Sequence, residues 1–255
     1  MYENEIKNII SNYTPISLNE MDNVSLMKRV DTKFLIGKNQ LSQILESIRD
    51  EYFILEINKN RLMNYKSLYF DSDDKIFYNN HHNKRARRTK VRIRKYVESN
   101  ILFLEVKQKD IKGNTVKNRI KIDDFETVLS ENSNSFIKKI TSKNHTLNPS
   151  LWNSFRRITL VNKKAKERVT IDINLSYSIN IKEKYFDDLV IIELKQERYN
   201  RNSPIVETLK TKGFFPYSIS KYCIGMINLY DNLKQNRFKE KLIKINKISA
   251  SSWNS

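Results

Sequence analysis

The sequence predicts an α+β protein built on an antiparallel β-sheet. Three observations carry that expectation. Eight segments alternate polar and apolar residues with a period of two, the middle ones are joined by hairpin-length connectors, and on most strands the polar face is charged. Eight strands suffice to close a barrel, leaving the apolar faces for helices to cover.

In chain order, residues 1–28 form a helical or irregular lead-in, and Arg29–Ile36 is the first strand. Gly37 and Asn39 punctuate it before a helix over about 40–50, whose Leu41, Ile44, Leu45 and Ile48 share one stripe. Strands follow at Asn64–Phe70, Arg88–Tyr96, Ile101–Lys109, Thr115–Ile122, Ser154–Val161, Arg168–Leu175 and Leu189–Gln196. Val97-Glu-Ser-Asn100 and Asp110-Ile-Lys-Gly-Asn114 have hairpin length, so residues 88–122 read as an antiparallel meander. Helices are expected near 124–140, 204–212 and 219–240. The second of these has Ser203 as N-cap, Pro204 at its first position and Gly213 past its end. Residues 236–255 read as a basic, frayed C-terminal tail.

Composition bounds the function. The 255 residues carry 47 Lys and Arg against 29 Asp and Glu, a formal net charge of +18. Hydrophobic residues at 39% and aromatics at 11% exclude wholesale disorder, because such a chain can bury enough apolar surface to offset its ordering entropy. Cys223 is the single cysteine, which excludes an intramolecular disulfide framework and a Cys-based zinc module. The N-terminus lacks the basic-then-apolar order of a signal peptide, and no apolar run reaches the roughly 18–20 residues that span a bilayer. A cytoplasmic protein is the expectation. Its excess charge is then a solvated surface, a nucleic-acid footprint, an anionic-membrane patch or a site for a polyanionic substrate.

Strand parity favours the last. Lys90, Arg92 and Arg94 share one face against Val91 and Ile93. Glu105, Lys107 and Lys109 oppose Leu104 and Val106, and Lys117, Arg119 and Lys121 oppose Val116, Ile120 and Ile122. Arg168, Thr170 and Asp172 oppose Val169, Ile171 and Ile173, while Glu193 and Lys195 oppose Ile192 and Leu194. Lys33 shares its face with Arg29 and Asp31, and Arg157 points away from Ile158. Like charges on neighbouring strands repel, so such a face makes physical sense if a multiply charged anion occupies it. Asp31-Thr-Lys33, Glu105-Val-Lys107 and Glu193-Leu-Lys195 each place a carboxylate and an ammonium on one face. They are same-face salt bridges or, together, a site where carboxylates hold a hard divalent cation and Lys and Arg hold phosphate oxygens. No glycine-rich phosphate loop is present, so phosphate would be held by side chains. His81 and His82 are adjacent and point apart on an extended chain, as surface or loop residues.

The ordered set Arg-x-Asp-x-Lys-Phe (29–34), Ser-Leu-Tyr-Phe-Asp (67–71), Tyr-x-x-His (78–81), Arg-x-Lys-x-Arg-x-Arg-x-Tyr (88–96), Phe-Leu-Glu-x-Lys (103–107), Arg157, Arg-x-Thr-x-Asp (168–172), Ile-Glu-Leu-Lys (192–195) and Ser-Lys-Tyr-x-x-Gly (220–225) resembles the VTC domain. That is the polyphosphate polymerase domain of the vacuolar transporter chaperone family, a branch of the triphosphate tunnel metalloenzymes. The resemblance spans about residues 25–230. It implies a closed eight-stranded antiparallel tunnel over 29–235 with helices packed outside. It also implies transfer of the ATP γ-phosphoryl to a growing polyphosphate chain, with release of ADP.

Carried over by motif, Arg92, Arg94, Lys107, Arg157, Arg168 and Lys221 become the catalytic cations, and Glu193 the ligand of Mn²⁺ or Mg²⁺. Lys33, Arg88, Lys90, Lys117, Arg119, Lys195 and Ser220 become substrate-binding residues; His81 competes with Arg88 for one position, and Lys117 with Arg119 for another. Phe155 stands where the family often has a tyrosine, removing a hydroxyl donor. The hydrolase branch has Glu-x-Glu-x-Lys where this chain has Arg29-Val-Asp-Thr-Lys33, which favours the transferase branch. The implied partners are ATP and inorganic polyphosphate, without nucleic acid; a membrane-protein partner stays open. Two rival readings remain. One is a triphosphatase on the same fold. The other is a polyanion or nucleic-acid binding module, with Tyr69, Phe70 and Tyr96 as stacking groups.

Overall fold

The computed structural model describes residues 2–22 and 29–251; the rest of the expected lead-in and tail, residues 1, 23–28 and 252–255, lies outside the described residues. The chain opens with α1 (Tyr2–Ser11), β1 (Pro15–Ile16), α2 (Leu18–Asp22), β2 (Val30–Gly37), α3 (Leu41–Ile48), β3 (Tyr52–Leu55), β4 (Met63–Asp71) and α4 (Ile76–His82). The meander follows as β5 (Arg88–Tyr96), β6 (Ile101–Lys109) and β7 (Thr115–Ile122), then α5 (Glu131–Thr141). The second half comprises β8 (Asn148–Asn162), β9 (Glu167–Ile179), β10 (Lys182–Phe186), β11 (Leu189–Gln196), α6 (Pro204–Thr211), α7 (Lys221–Leu229) and α8 (Lys239–Ser251).

Eight strands form one sheet in the order β2-β11-β9-β8-β4-β5-β6-β7, with antiparallel neighbours throughout. These are the eight strands read from the alternation. Short β1, β3 and β10 attach beside them. The expected closed barrel is corrected by the hydrogen bonding: β2 and β7 are the two ends of the path, and no ladder joins them among the described residues.

The outward faces are apolar and covered by helices. Phe34, Ile36, Ile158, Leu160, Val169, Ile171, Val190, Ile192 and Leu194 pack with the buried faces of α1, α3 and α6. Leu68, Phe70, Val91, Ile93, Leu104 and Val106 pack with Ile137 of α5. Each such side chain, fully buried, contributes roughly 1.5–3 kcal/mol.

The inward face is divided. Part of it carries the charges, and the remainder is filled by α7: Tyr222, Cys223 and Met226 pack on Leu35, Tyr69, Leu151, Leu175, Tyr177 and Ile191. Gly225 permits that approach, since a Cβ there would lie 2.5 Å from the Tyr177 ring. α8 adds Ile245 to the same cluster.

Several expectations need correction. The helix read over 219–240 is two helices, α7 and α8, separated at Tyr230–Phe238. The expected frayed tail is helical through Ser251, with Phe238 and Ile245 buried. The segment read as helix from 124 begins only at Glu131, where Ser130 accepts from the Ser133 amide at 3.2 Å. His81 and His82 sit on α4, a helix the alternation did not reveal, and His82 is buried. Its start is built by tertiary contact: Asp71 accepts from the amides of Phe77 and Tyr78, both at 2.9 Å.

Candidate active site

Three buried or nearly buried carboxylates organise the inward face, and each is bracketed by two cations. Glu105 on β6 lies opposite Arg92 on β5. Arg92 donates to its Oε2 from Nη2 at 2.6 Å and from Nε at 2.8 Å, while Lys117 on β7 donates to Oε1 at 2.8 Å. Arg92 also donates to the Tyr69 hydroxyl at 3.0 Å. Burial opposes ionisation of Glu105, but Arg92, Arg94 and Lys117 outweigh it and hold its carboxyl far below the ordinary range.

Asp172 on β9 lies opposite Arg157 on β8 and is fully buried. Arg157 donates through Nε to Oδ1 at 2.5 Å and through Nη2 to Oδ2 at 2.8 Å. Lys221, the first residue of α7, donates to Oδ2 as well. Against the cost of burial, Arg157 and Lys221 keep Asp172 ionised.

Glu193 on β11 accepts from Lys33 on β2 at 2.7 Å and lies 3.5 Å from Lys195. Its carboxyl is held well below the usual range, burial being outweighed by Lys195 and Lys33. Lys195 also donates to Thr170 Oγ1 at 3.4 Å, and burial brings its ammonium down to about 8 although Glu193 opposes the shift.

Between these clusters sits an aromatic platform. Tyr65 and Phe155 stack with ring centroids 5.1 Å apart and planes 5° from parallel. Arg94 lies 5.6 Å from the Phe155 centroid, Arg157 5.1 Å and Lys221 4.8 Å. The missing tyrosine hydroxyl therefore leaves a ring whose π-face attracts three cations. Arg94 is buried and donates to Ser67 Oγ at 3.2 Å.

Lys90 donates to Ser220 Oγ at 2.9 Å, and Ser220 caps α7 by accepting from the Cys223 amide at 3.3 Å. Lys107 is exposed and joins no ion pair among the described residues. Partial desolvation lowers its ammonium; Lys33 and Arg92 add to that, and Glu193 and Asp31 oppose it. Charges on β6 therefore act on β2 and β11 across the concavity, although those strands are far apart in the sheet order.

The remaining sequence candidates are more peripheral. Arg119 is exposed and lies 4.3 Å from the Phe103 ring. Arg168 reaches the Met21 sulfur at 3.8 Å. Arg88 is half-buried, with its Nε unpartnered. Burial, with Lys90 and Arg88 nearby, brings the His81 imidazole down to about 2, which leaves that ring uncharged at neutral pH. Of the proposed stacking groups, Tyr69 and Phe70 are buried and Tyr96 is half-buried.

Sequence reasoning missed how the carboxylates pair. Glu105 bonds Arg92 and Lys117 rather than Lys107, and Asp31 bonds Arg29 at 3.0 Å rather than Lys33. Only the Glu193–Lys195 contact joins residues two apart as the motif suggested. Asp172 was legible as a residue on the charged face, but its partners lie 15 and 49 residues away.

No group of three His, Cys, Asp or Glu residues poised to hold a metal occurs among the described residues. The donor set still fits a hard divalent cation that takes one or two carboxylates and completes its shell with phosphate oxygens and water. Glu193 suits this, because its Oε2 has only the longer contact to Lys195.

The VTC domain family matches residues 28–230 of the chain. No curated protein sequence matches it. Among solved structures, a putative adenylyl cyclase from Hippeastrum, described as having a dominant triphosphatase activity, is similar at 14% identity and a TM-score of 0.51; the match covers 82% of this chain and 99% of that one. A putative adenylate cyclase from Bacillus halodurans matches at 14% identity and a TM-score of 0.45, covering 76% of this chain and 94% of that one. At such identity, the Hippeastrum match shows a shared fold and nothing of activity.

Proposed function

The chain belongs to the VTC domain family, and from that premise we propose that it moves the γ-phosphoryl of ATP to the end of an inorganic polyphosphate chain, releasing ADP. The observation that carries this reading is the set of three carboxylates on one concave face, each bracketed by two cations. The carboxylates hold Arg92, Lys117, Arg157, Lys221, Lys33 and Lys195 in place, so little rearrangement is needed when phosphate oxygens arrive.

Phosphoryl transfer requires alignment and charge neutralisation more than covalent help from the protein. The guanidinium forks of Arg92 and Arg157 suit bidentate grip on phosphate, and Arg94, Lys107 and Arg168 add charge around them. Lys33, Arg88, Lys90, Lys117, Arg119, Lys195 and Ser220 bind and align the chain in this reading. Mn²⁺ or Mg²⁺ at Glu193 would supply Lewis-acid charge to the phosphates. We further propose that the sheet closes into the tunnel of residues 29–235 around a bound polyanion. No described helix is long and apolar enough to cross a membrane; a cytoplasmic enzyme drawing on ATP fits the reading.

A second reading is hydrolysis of inorganic or nucleoside triphosphate with water as acceptor, because water and a phosphate chain end would compete for one site. One experiment separates them. Purified protein with ATP and Mn²⁺ should form long chains visible on a polyphosphate-stained gel, and Glu193→Gln and Arg92→Ala should abolish them without unfolding the protein. Release of free phosphate from tripolyphosphate, with no chains from ATP, would establish the hydrolase instead.

A further inference from the structure

The bracketing carboxylates balance the charges deep on the concave face, yet one end of it has none. On β5, Arg94, Arg92, Lys90 and Arg88 follow one another on a single face. At roughly 3.3 Å per residue that row is about 20 Å long, more than three linked phosphates can span. Arg92 is paired with Glu105, but Lys90 meets only the Ser220 hydroxyl, and Arg88 Nε has no partner.

Directly before Arg88 in the chain lies the exposed run Lys84-Arg85-Ala86-Arg87, a turn none of whose cations joins an ion pair among the described residues. The run is anchored rather than loose. The Lys84 and Arg85 amides donate to the carbonyls of His81 and Asn80 at 3.2 and 3.0 Å. Uncompensated cations held together cost free energy unless an outside anion meets them.

We propose that Lys84, Arg85 and Arg87 form an outer subsite that grips a polyphosphate chain where it passes out of the concave face. The inference rests on the phosphate-binding reading above and adds the length of the anion to it. A single-stranded RNA is the less suitable occupant, because the run 84–88 carries no aromatic side chain on which bases could stack.

The test compares wild type with the triple variant Lys84→Ala, Arg85→Ala, Arg87→Ala, whose positions are exposed and outside the catalytic set. Calorimetry would measure tripolyphosphate and long-chain polyphosphate binding over a salt series, with a melting curve to confirm folding. Tripolyphosphate affinity should be unchanged. Long-chain affinity should fall at least tenfold at about 0.15 M salt, and the slope of log affinity on log salt should shrink by about 2, at roughly 0.7 per lost contact. The outer subsite is refuted if long chains bind the variant as they bind wild type, if both ligands weaken equally, or if only RNA binding is lost. Wild type that fails to bind tripolyphosphate at all would instead refute the functional reading beneath it.

Discussion

Arg157 and Asp172 face each other across β8 and β9, joined by two parallel hydrogen bonds of 2.5 and 2.8 Å from one guanidinium edge to the two carboxylate oxygens. Lys221 completes the cluster, so one fully buried carboxylate ties the sheet to the first residue of α7.

Asp172→Asn should leave Arg157 and Lys221 buried without a counterion, at a cost of about 3 kcal/mol. Urea unfolding should report the loss, and tripolyphosphate should raise the melting temperature of the variant more than that of wild type. The pH dependence has a definite sign. The folded carboxyl titrates below its unfolded value, so the stabilisation is present above about pH 4 and fades as the solution is acidified.

Lys195 titrates near 8 in the folded protein, below the ordinary ammonium value of 10.5. Below pH 8 its buried charge costs folding free energy in full, and that cost is relieved as the pH rises from about 8 to 10.5. Anion binding should run the opposite way, weakening above pH 8 by up to about tenfold per unit as the charge is lost. Tripolyphosphate titrations between pH 7 and 9.5 would detect this, and Lys195→Arg should flatten the profile.

Gly225→Ala should destabilise the protein. Alanine improves helix propensity by about 1 kcal/mol, but its Cβ would meet the Tyr177 ring at 2.5 Å and Leu151 at 3.0 Å. Overpacking of that kind costs roughly 1–3 kcal/mol, so a lowered melting temperature is expected. Displacement of α7 also carries Lys221 away from Asp172, and phosphate affinity should fall with stability.

Arg92→Ala and Lys117→Ala each remove one of the two cations on Glu105 but should differ in size. Arg92 makes two hydrogen bonds to the carboxylate and is 21% exposed, whereas Lys117 makes one and is 38% exposed. Loss of the arginine should remove nearly all tripolyphosphate binding, and loss of the lysine should weaken it severalfold, both by calorimetry.

Much of the sheet was legible because its signal is local. Arg88–Tyr96, Ile101–Lys109, Thr115–Ile122 and Leu189–Gln196 alternate so regularly that the expected and observed bounds coincide. β3 escaped because Tyr52-Phe-Ile-Leu55 is apolar without alternation, and it exists by pairing with β8. α4 escaped because the groups that satisfy its first amides belong to Asp71 and Ser72, ahead of the helix.

Side-chain parity along each strand is a property of neighbours in the chain, so the sequence by itself determined which residues share the charged face. It also contained the ordered motifs from 29 to 225 that the family match over 28–230 later met. Only the tertiary structure decided which cation answers which carboxylate, that no ladder joins β2 to β7 among the described residues, and that α7 fills part of the concave face. Lys33 and Glu193 are 160 residues apart, and their contact exists because β2 and β11 align in one register. Register is set by the summed packing of whole strands, and no short stretch of sequence carries it.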